Sequence, residues 1–506
     1  MPGKFEERLP LIRKGLIDEF TPSHQISVIL AAACIIDQFG VNPIIVLPKG
    51  IIICGWVGYP LVLLVISLTI YTAMLLGRCW VIAEHLDKSM VLKSRYAYSA
   101  LTEMVWGKTT GRIINFLIDV SVFCSNIPAL LIASQNLQFF DATISNYTFN
   151  FSYCYWLVIL GVALCPLTWL GSPKDTKWIS AFSAFSVFTC AFLTWTCMFL
   201  DETRPSLQGR LPSPDWQGVS VAFGILTFQF GCHPSILTIQ TDMSDKRKLS
   251  RSILISFIAI GALTLITASL SGVLYGAETH ANLVRGLPVN LFLYFDVILL
   301  TLQLFLSTIV GQYTLFQDVE DKFGIPRDLC WQRCLIRSLI VVLVVVFAEI
   351  LPRFDLVMGI IGGVLTGPIT LIFPPLLHLQ FRRLLHEEKM RSRNGDKDKT
   401  EVQKEEPDLT IRIESQRQML GNPASPKNPE NFTFDLRFVG LPKVNFGLND
   451  EQISLTEFAV SFLVVGIGII QTAMATYYGA TAAVKSTKFL PPCIVSVEGA
   501  SRITNA

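Results

Sequence analysis

Eleven stretches of this chain are apolar for long enough to cross a lipid bilayer, and no other feature limits its fold so severely. Inside hydrocarbon every backbone N–H and C=O must find a partner within the protein, so a run of about 20 apolar residues is committed to helix. The runs lie at about 23–46, 56–80, 113–139, 155–170, 179–200, 219–241, 253–275, 289–316, 335–351, 357–379 and 453–478. Of the 506 residues 51% are hydrophobic and 16% charged, where a soluble chain carries about a quarter charged. The expected fold class is an all-α polytopic membrane protein with eleven transmembrane helices.

Two of the runs share a wording. Gln38-Phe39-Gly40-Val41-Asn42-Pro43-Ile44-Ile45 sits in the first, and Gln229-Phe230-Gly231-Cys232-His233-Pro234-Ser235-Ile236 in the sixth. Both read Q-F-G-x-[N/H]-P-x-I. Gly tolerates positive φ and Pro lacks an N–H, so each copy is expected to break its helix at mid-membrane. Bare backbone at that depth is tolerable only beside a protected cavity. Matching breaks in two halves point to a transporter's substrate site. The competing reading is chance, because Gly and Pro are common in membrane helices. Ten runs divide as five plus five with the wording in the first helix of each half. That is the layout of a 5+5 inverted repeat with broken helices 1 and 6, to which the eleventh is extra.

The organisation follows. Residues 1–22 form a charged and polar tail with no cleavable signal peptide expected, 23–381 the ten-helix core, 382–452 a polar insert, 453–478 the eleventh helix, and 479–506 a final tail. The insert mixes charges, as in His386-Glu387-Glu388-Lys389, and is expected to be a disordered loop that sets the eleventh helix apart. Basic residues fix the orientation. Arg78, Lys88, Lys93, Arg95, Lys108, Arg112, Lys174, Lys177, Lys246, Arg247 and Lys248 belong to one set of connections, whereas the opposite set holds Lys49, Arg204, Arg210, Arg285 and Arg353. The N-terminus and the insert are therefore expected in the cytosol, and the final tail in the lumen or outside. Glycosylation sequons at Asn146 and Asn150 fall after the third run, on the non-cytosolic side.

No nucleophile elbow, phosphate loop or paired catalytic carboxylates occur, so an enzyme is not indicated. Twelve cysteines lack metal-ligand spacing, and no metal or other cofactor is expected. The informative residues are ionisable groups within apolar runs, each costing several kcal/mol unless it faces a cavity or a partner. Asp37 precedes the first break, where half-helix carbonyls and a carboxylate suit a cation. Asp119 in the third run is either a second such group or a structural hydrogen-bond partner. His233 in the second break brings an imidazole, whose free form titrates near neutral pH, or is simply satisfied by backbone. Asp296 lies close to a run end, where water can reach it. Ser307 and Thr308 bring hydroxyls into the eighth run.

Several blocks, in order along the chain, resemble the amino acid/auxin permease family. Cys54-Gly55-Trp56-Val57-Gly58 leading to Tyr71-Thr72-Ala73-Met74-Leu75-Leu76 is similar to the family's second span. Tyr96 through Trp106-Gly107 to Gly111-Arg112 resembles its approach to span three. Phe230-Gly231-Cys232-His233-Pro234-Ser235-Ile236-Leu237 is similar to a signature of sodium-coupled neutral amino acid transporters. Leu351-Pro352-Arg353-Phe354-Asp355-Leu356-Val357-Met358-Gly359 is closer to the vesicular inhibitory amino acid transporter. The resemblance implies alternating access for amino acids. The substrate's amino and carboxyl groups would meet backbone around Gly40, Val41 and Asn42 and around Phe230, Gly231 and Cys232. It also implies a coupling cation held by the position of Asp37, where relatives usually carry Asn, together with Thr308. Asp for Asn, and Val41-Asn42-Pro43 for the common Gly-Ser-Gly, leave the ion and the substrate open.

The expected function is secondary active transport of small neutral amino acids, coupled to protons. The alternatives are sodium coupling, or an amino-acid sensor or scaffold with little flux. Expected partners are the amino acid, the coupling proton or sodium, the lipid bilayer and coat adaptor proteins; no nucleic acid is expected. The adaptors would read Glu7-Arg8-Leu9-Pro10-Leu11-Ile12, an acidic dileucine pattern built on Glu7, Leu11 and Ile12. Lysosomal or endosomal membrane is expected, with plasma membrane or secretory vesicle as alternatives. Leu11→Ala with Ile12→Ala is expected to move the protein to the cell surface in fluorescence imaging; an unchanged distribution would remove the motif.

Overall fold

A computed structural model of the chain describes residues 26–146, 148, 151–170, 173–202, 211–326, 329–351, 353–404, 433–434, 444–445 and 455–486. Among the described residues each of the eleven apolar runs is helical. The first segment is divided into Val28–Phe39, Asn42–Ile45 and Leu47–Ile53. Segments two to five are Gly58–Leu86, Lys108–Ile144, Tyr153–Leu170 and Pro173–Phe199. The sixth is divided into Trp216–Gln229 and His233–Asp242. Segments seven to nine are Leu249–Leu274, Leu291–Lys322 and Trp331–Ile350. The tenth starts as Phe354–Ile361, widens into two π-helical turns at Gly362–Thr366 and Pro368–Ile372, and continues as Phe373–Lys404. The eleventh is Leu455–Ser486. Among the described residues eight helices are long and apolar enough to cross a membrane unaided.

Helix starts are set by side chains that satisfy orphan N–H groups. Ser27 caps Leu30 at 3.3 Å, Asp215 caps Gly218 at 2.9 Å and Asn290 caps Leu293 at 2.9 Å. Two boundaries differ from the sequence expectation. The first segment continues to Ile53, so Lys49 is helical rather than in a connection; its long stem lets the ammonium reach the Ala277 carbonyl at 3.0 Å. The tenth helix runs on to Lys404, into a region expected to be disordered. Composition discards spacing, and here opposite charges sit one turn apart: Arg383 pairs with Glu387 at 3.0 Å, which supports helix. Further along, Thr433–Phe434 pairs antiparallel with Val444–Asn445.

Packing arranges these segments around the two breaks. The fifth and third segments lie along the eighth, the seventh lies along the first, and the sixth lies against the tenth. Sixth and tenth meet backbone to backbone: a Cβ on Gly362 would fall 1.9 Å from the Gly224 carbonyl oxygen. The eleventh segment is not apart from the core. A Cβ on Gly363 would stand 3.0 Å from that of Ala475, and one on Gly367 would stand 2.6 Å from Gln471 Oε1. Small residues on the tenth segment thus seat the eleventh. Fully buried Arg337 ties the fourth, eighth and ninth segments. It donates to Glu320 at 2.5 Å and to the Thr168 carbonyl at 2.5 Å, and lies over the rings of Tyr313 and Phe316 at 5.6 and 5.3 Å. An unpartnered charge at such depth costs about 2.5–3.5 kcal/mol, which these contacts offset.

Candidate functional site

Both copies of the repeated wording break their helices, by different means. At Gly40 the chain takes φ 60° and ψ −150°, a conformation that favours glycine, and Val28–Phe39 ends there. Gly231 has no positive φ; it is glycine because a Cβ would fall 2.0 Å from Thr366 Cγ2 on a π turn of the tenth segment. In both copies proline opens the following half-helix, where its missing N–H is harmless. Proline therefore restarts each helix, and the break belongs to the residues before it.

The two breaks are bonded to one another. Gln229 Nε2 donates to the carbonyl of Phe39 at 2.5 Å, supplying the donor that the interrupted first helix withholds. Ser235 donates to Gln38 Oε1 at 3.1 Å. The rings of Phe39 and Phe230 meet edge-on at 5.7 Å, and Phe257 of the seventh segment closes the cluster, 5.0 Å from Phe39 and 6.1 Å from Phe230. At the far ends Ile26 N donates to the Asp242 carbonyl at 2.9 Å, and Ser244 N to that of Ile26 at 3.2 Å.

Asp37 is fully buried one turn before the first break. Ser183 of the fifth segment donates to Asp37 Oδ1, and Ser180 brings a second hydroxyl. From the eighth segment Gln303 donates from Nε2 to Ser183 Oγ at 3.1 Å and accepts at Oε1 from the N–H of Val41 at 3.3 Å. One continuous chain of hydrogen bonds therefore runs from the carboxyl of Asp37 to the broken backbone. Ser307 donates to the backbone carbonyl of Asp37 at 3.2 Å. Thr308 donates to Leu304 O of its own helix at 2.8 Å, so Ser307, rather than Thr308, touches Asp37.

The other sequence candidates divide. Asn42 Oδ1 is buried without a hydrogen-bond partner among the described residues, as is Thr227 Oγ1 one turn before the second break. Val41, Phe230, Cys232 and His233 are buried. His233 bonds Thr72 of the second segment, Nε2 to Oγ1 at 2.9 Å, so a side chain and not backbone satisfies that nitrogen. Asp119 is not brought to the breaks. It accepts from Lys322 Nζ at 2.8 Å and from Asn115 at 3.3 Å, beside an Asp318 that also pairs with Lys322, and so belongs to an ion-pair group between the third and eighth segments. Asp296 is fully buried rather than solvated, and accepts from Thr194 at 2.7 Å. Asn146 is exposed on the turn after the third segment; Asn150, Glu7, Leu11 and Ile12 lie outside the described residues. Sequence reasoning missed Ser180, Ser183, Gln303 and Thr72. The visible signal was Ser180, Ser183 and Ser186 at three-residue spacing, a polar line on an otherwise apolar helix.

The crystal structure of MhsT in complex with L-phenylalanine shares the fold, with a TM-score of 0.52 and 12% identity over 90% of this chain and 100% of that one. Residues 24–393 match the family described as transmembrane amino acid transporter protein, and the chain belongs to that family. Among its relatives in Arabidopsis thaliana, amino acid transporter AVT1I is 22% identical over 337 residues, 64% of this chain and 79% of its own length. Amino acid transporter AVT1J is 21% identical over 384 residues, 72% of this chain and 86% of its own. Amino acid transporter AVT1E is 24% identical over 341 residues, 65% and 62% of the respective lengths. The family comprises amino acid transporters, not enzymes, and the resemblance read from the sequence holds.

The bond between the breaks can be tested by stability. Gln229→Leu leaves the buried Phe39 carbonyl without its donor, which costs about 1–3 kcal/mol. The expected outcome is a lower melting temperature for the detergent-solubilised variant; an unchanged one would mean that the breaks do not support each other.

Proposed function

We propose that the chain is a proton-coupled transporter of small neutral amino acids working by alternating access. The observation that carries this reading is the meeting of two broken helices, joined by Gln229, beside the buried carboxyl of Asp37. An amino acid presents a carboxylate and an ammonium on one carbon, and a pair of broken helices presents bare N–H and C=O groups to match. The carboxylate and amine meet backbone around Gly40, Val41 and Asn42 on one side and Phe230, Gly231 and Cys232 on the other. Asn42 Oδ1 adds an acceptor, and His233 holds the second break to Thr72. Apart from Asp37 these stretches carry no Asp, Glu, Lys or Arg, which favours a substrate with an uncharged side chain.

Asp37 is the coupling residue. Its described side-chain partners are hydroxyls, and a hydroxyl can donate or accept, so a proton can arrive or leave without dismantling the network. Among the described residues Asp37 forms no ion pair, so no lysine or arginine holds it permanently as the anion. The competing account is sodium held by Asp37 with its own backbone carbonyl and the hydroxyls of Ser307 and Thr308; the Ser307 contact with that carbonyl supports it. On this reading the N-terminus faces the cytosol from a lysosomal or endosomal membrane. Cys154, at the start of the fourth segment, is disulfide-bonded, which supports an oxidising, non-cytosolic location for that end.

Purified protein in liposomes with imposed pH and sodium gradients tests this reading. Wild type is expected to accumulate a labelled neutral amino acid against its gradient when the substrate side is acidic. Asp37→Asn resembles the protonated acid in shape, so it is expected to lose pH-driven accumulation while keeping exchange. Full pH-driven uptake in that variant would remove Asp37 from coupling; sodium-stimulated uptake with weakened affinity would establish the competing account.

A further inference from the structure

Gln303 occupies a place that no reading of the sequence assigned. It is fully buried in the eighth segment, yet the polar edge of its amide faces the break of the first. A Cβ built on Gly40 would stand 3.2 Å from Gln303 Nε2, 3.3 Å from Oε1 and 3.6 Å from Cδ. The space opened by the missing side chain is therefore filled by a planar carboxamide. Its oxygen accepts the N–H of Val41 at 3.3 Å, and its nitrogen donates to Ser183 at 3.1 Å. Both polar ends are engaged, which fixes the orientation of the amide: oxygen to the backbone donor, nitrogen to the hydroxyl.

A carboxamide and a carboxylate have the same planar shape, and both present an sp² oxygen to a backbone N–H. They differ in strength, because a bond from N–H to an ionised acceptor is roughly twice as strong as a neutral one. We propose that Gln303 is a built-in stand-in for the substrate's α-carboxylate: it satisfies the Val41 N–H while the site is empty, and an amino acid binds by displacing it. This deepens the transport reading and rests on it. The device meets a specific need. A buried N–H left unpaired is costly, so a broken helix in a protein interior needs an acceptor in the absence of ligand. A neutral, single-bonded acceptor meets that need and still yields to a charged one. Displacement also reaches the coupling residue. The amide that leaves Val41 is the one that donates to Ser183, and Ser183 is the hydroxyl that donates to Asp37. Substrate arrival at Val41 and the state of Asp37 are thereby linked through two side chains, with no movement of either helix required.

The test uses the full chain in liposomes, with the labelled L-amino acid that gives the largest wild-type uptake in a panel of the common ones. Gln303→Ala and the near-isosteric Gln303→Met both remove the competing acceptor. Both are expected to lower KM about two- to tenfold, the worth of one hydrogen bond. Their KM is also expected to vary less with pH than that of wild type. Gln303→Glu leaves a stronger acceptor on Val41 and is expected to raise KM at least as far. A raised KM in both the Ala and Met variants would make Gln303 a direct substrate contact and overturn the proposal, as would an unchanged KM in both. Should Ala fail to give monodisperse protein, Met alone decides. Wild type that transports no amino acid would instead overturn the transport reading, an outcome separable from any behaviour of the variants.

Discussion

The whole structure answers to one requirement, that backbone polar groups at bilayer depth must be paired. Nine segments meet it as helices within themselves. The first and sixth do not, and side chains supply what the breaks lack: Gln229 donates to the Phe39 carbonyl, and Gln303 accepts from the Val41 N–H. Those two glutamines tie the sixth and eighth segments to the first. The seventh brings Phe257 over the aromatic pair, the eighth brings Gln303 and Ser307, and the fifth brings Ser183 to Asp37. The break is thus a cooperative construction of five segments, centred on the two-residue turn Gly40–Val41.

Much of this was legible in the sequence. Runs of apolar residues fixed helix number, because hydrocarbon leaves the backbone so few alternatives. The repeated Q-F-G-x-[N/H]-P-x-I located both breaks and Asp37 beside the first. What it did not disclose was mechanism at each position. Gly40 and Gly231 look alike in sequence, yet one is needed for its dihedrals and the other for room against Thr366. Gln229 and Gln38 look alike as well, yet Gln229 crosses to the other break's backbone while Gln38 receives Ser235. Pairings across 190 residues of chain, such as that of Gln229 with Phe39, leave no local pattern to read.

Ionisable residues were the least legible. In the sequence Asp296 reads as a group near a run end, within reach of water, and Asp119 as a second candidate for a cation site. The fold reverses their surroundings: Asp119 joins Lys322 and Asp318 in an ion-pair group, whereas Asp296 is fully buried against Thr194. Position along a helix says how far a group lies from the helix end, but not whether a neighbouring helix brings a cation or only a hydroxyl. The polar insert departs from expectation only over its first part, 382–404, most of the remainder lying outside the described residues. Its charge content read as disorder, while the one-turn spacing of Arg383 and Glu387 carries the tenth helix onward.

The central claim is that the two breaks together hold the amino acid headgroup. It is tested most directly by electron cryomicroscopy of the full chain with a saturating transported amino acid. Ligand density is expected between Gly40–Val41–Asn42 and Phe230–Gly231–Cys232, with the carboxylate on the Val41 N–H and the Gln303 amide turned away. Ligand density elsewhere in the molecule, with the Gln303 amide still seated on Val41, would contradict it.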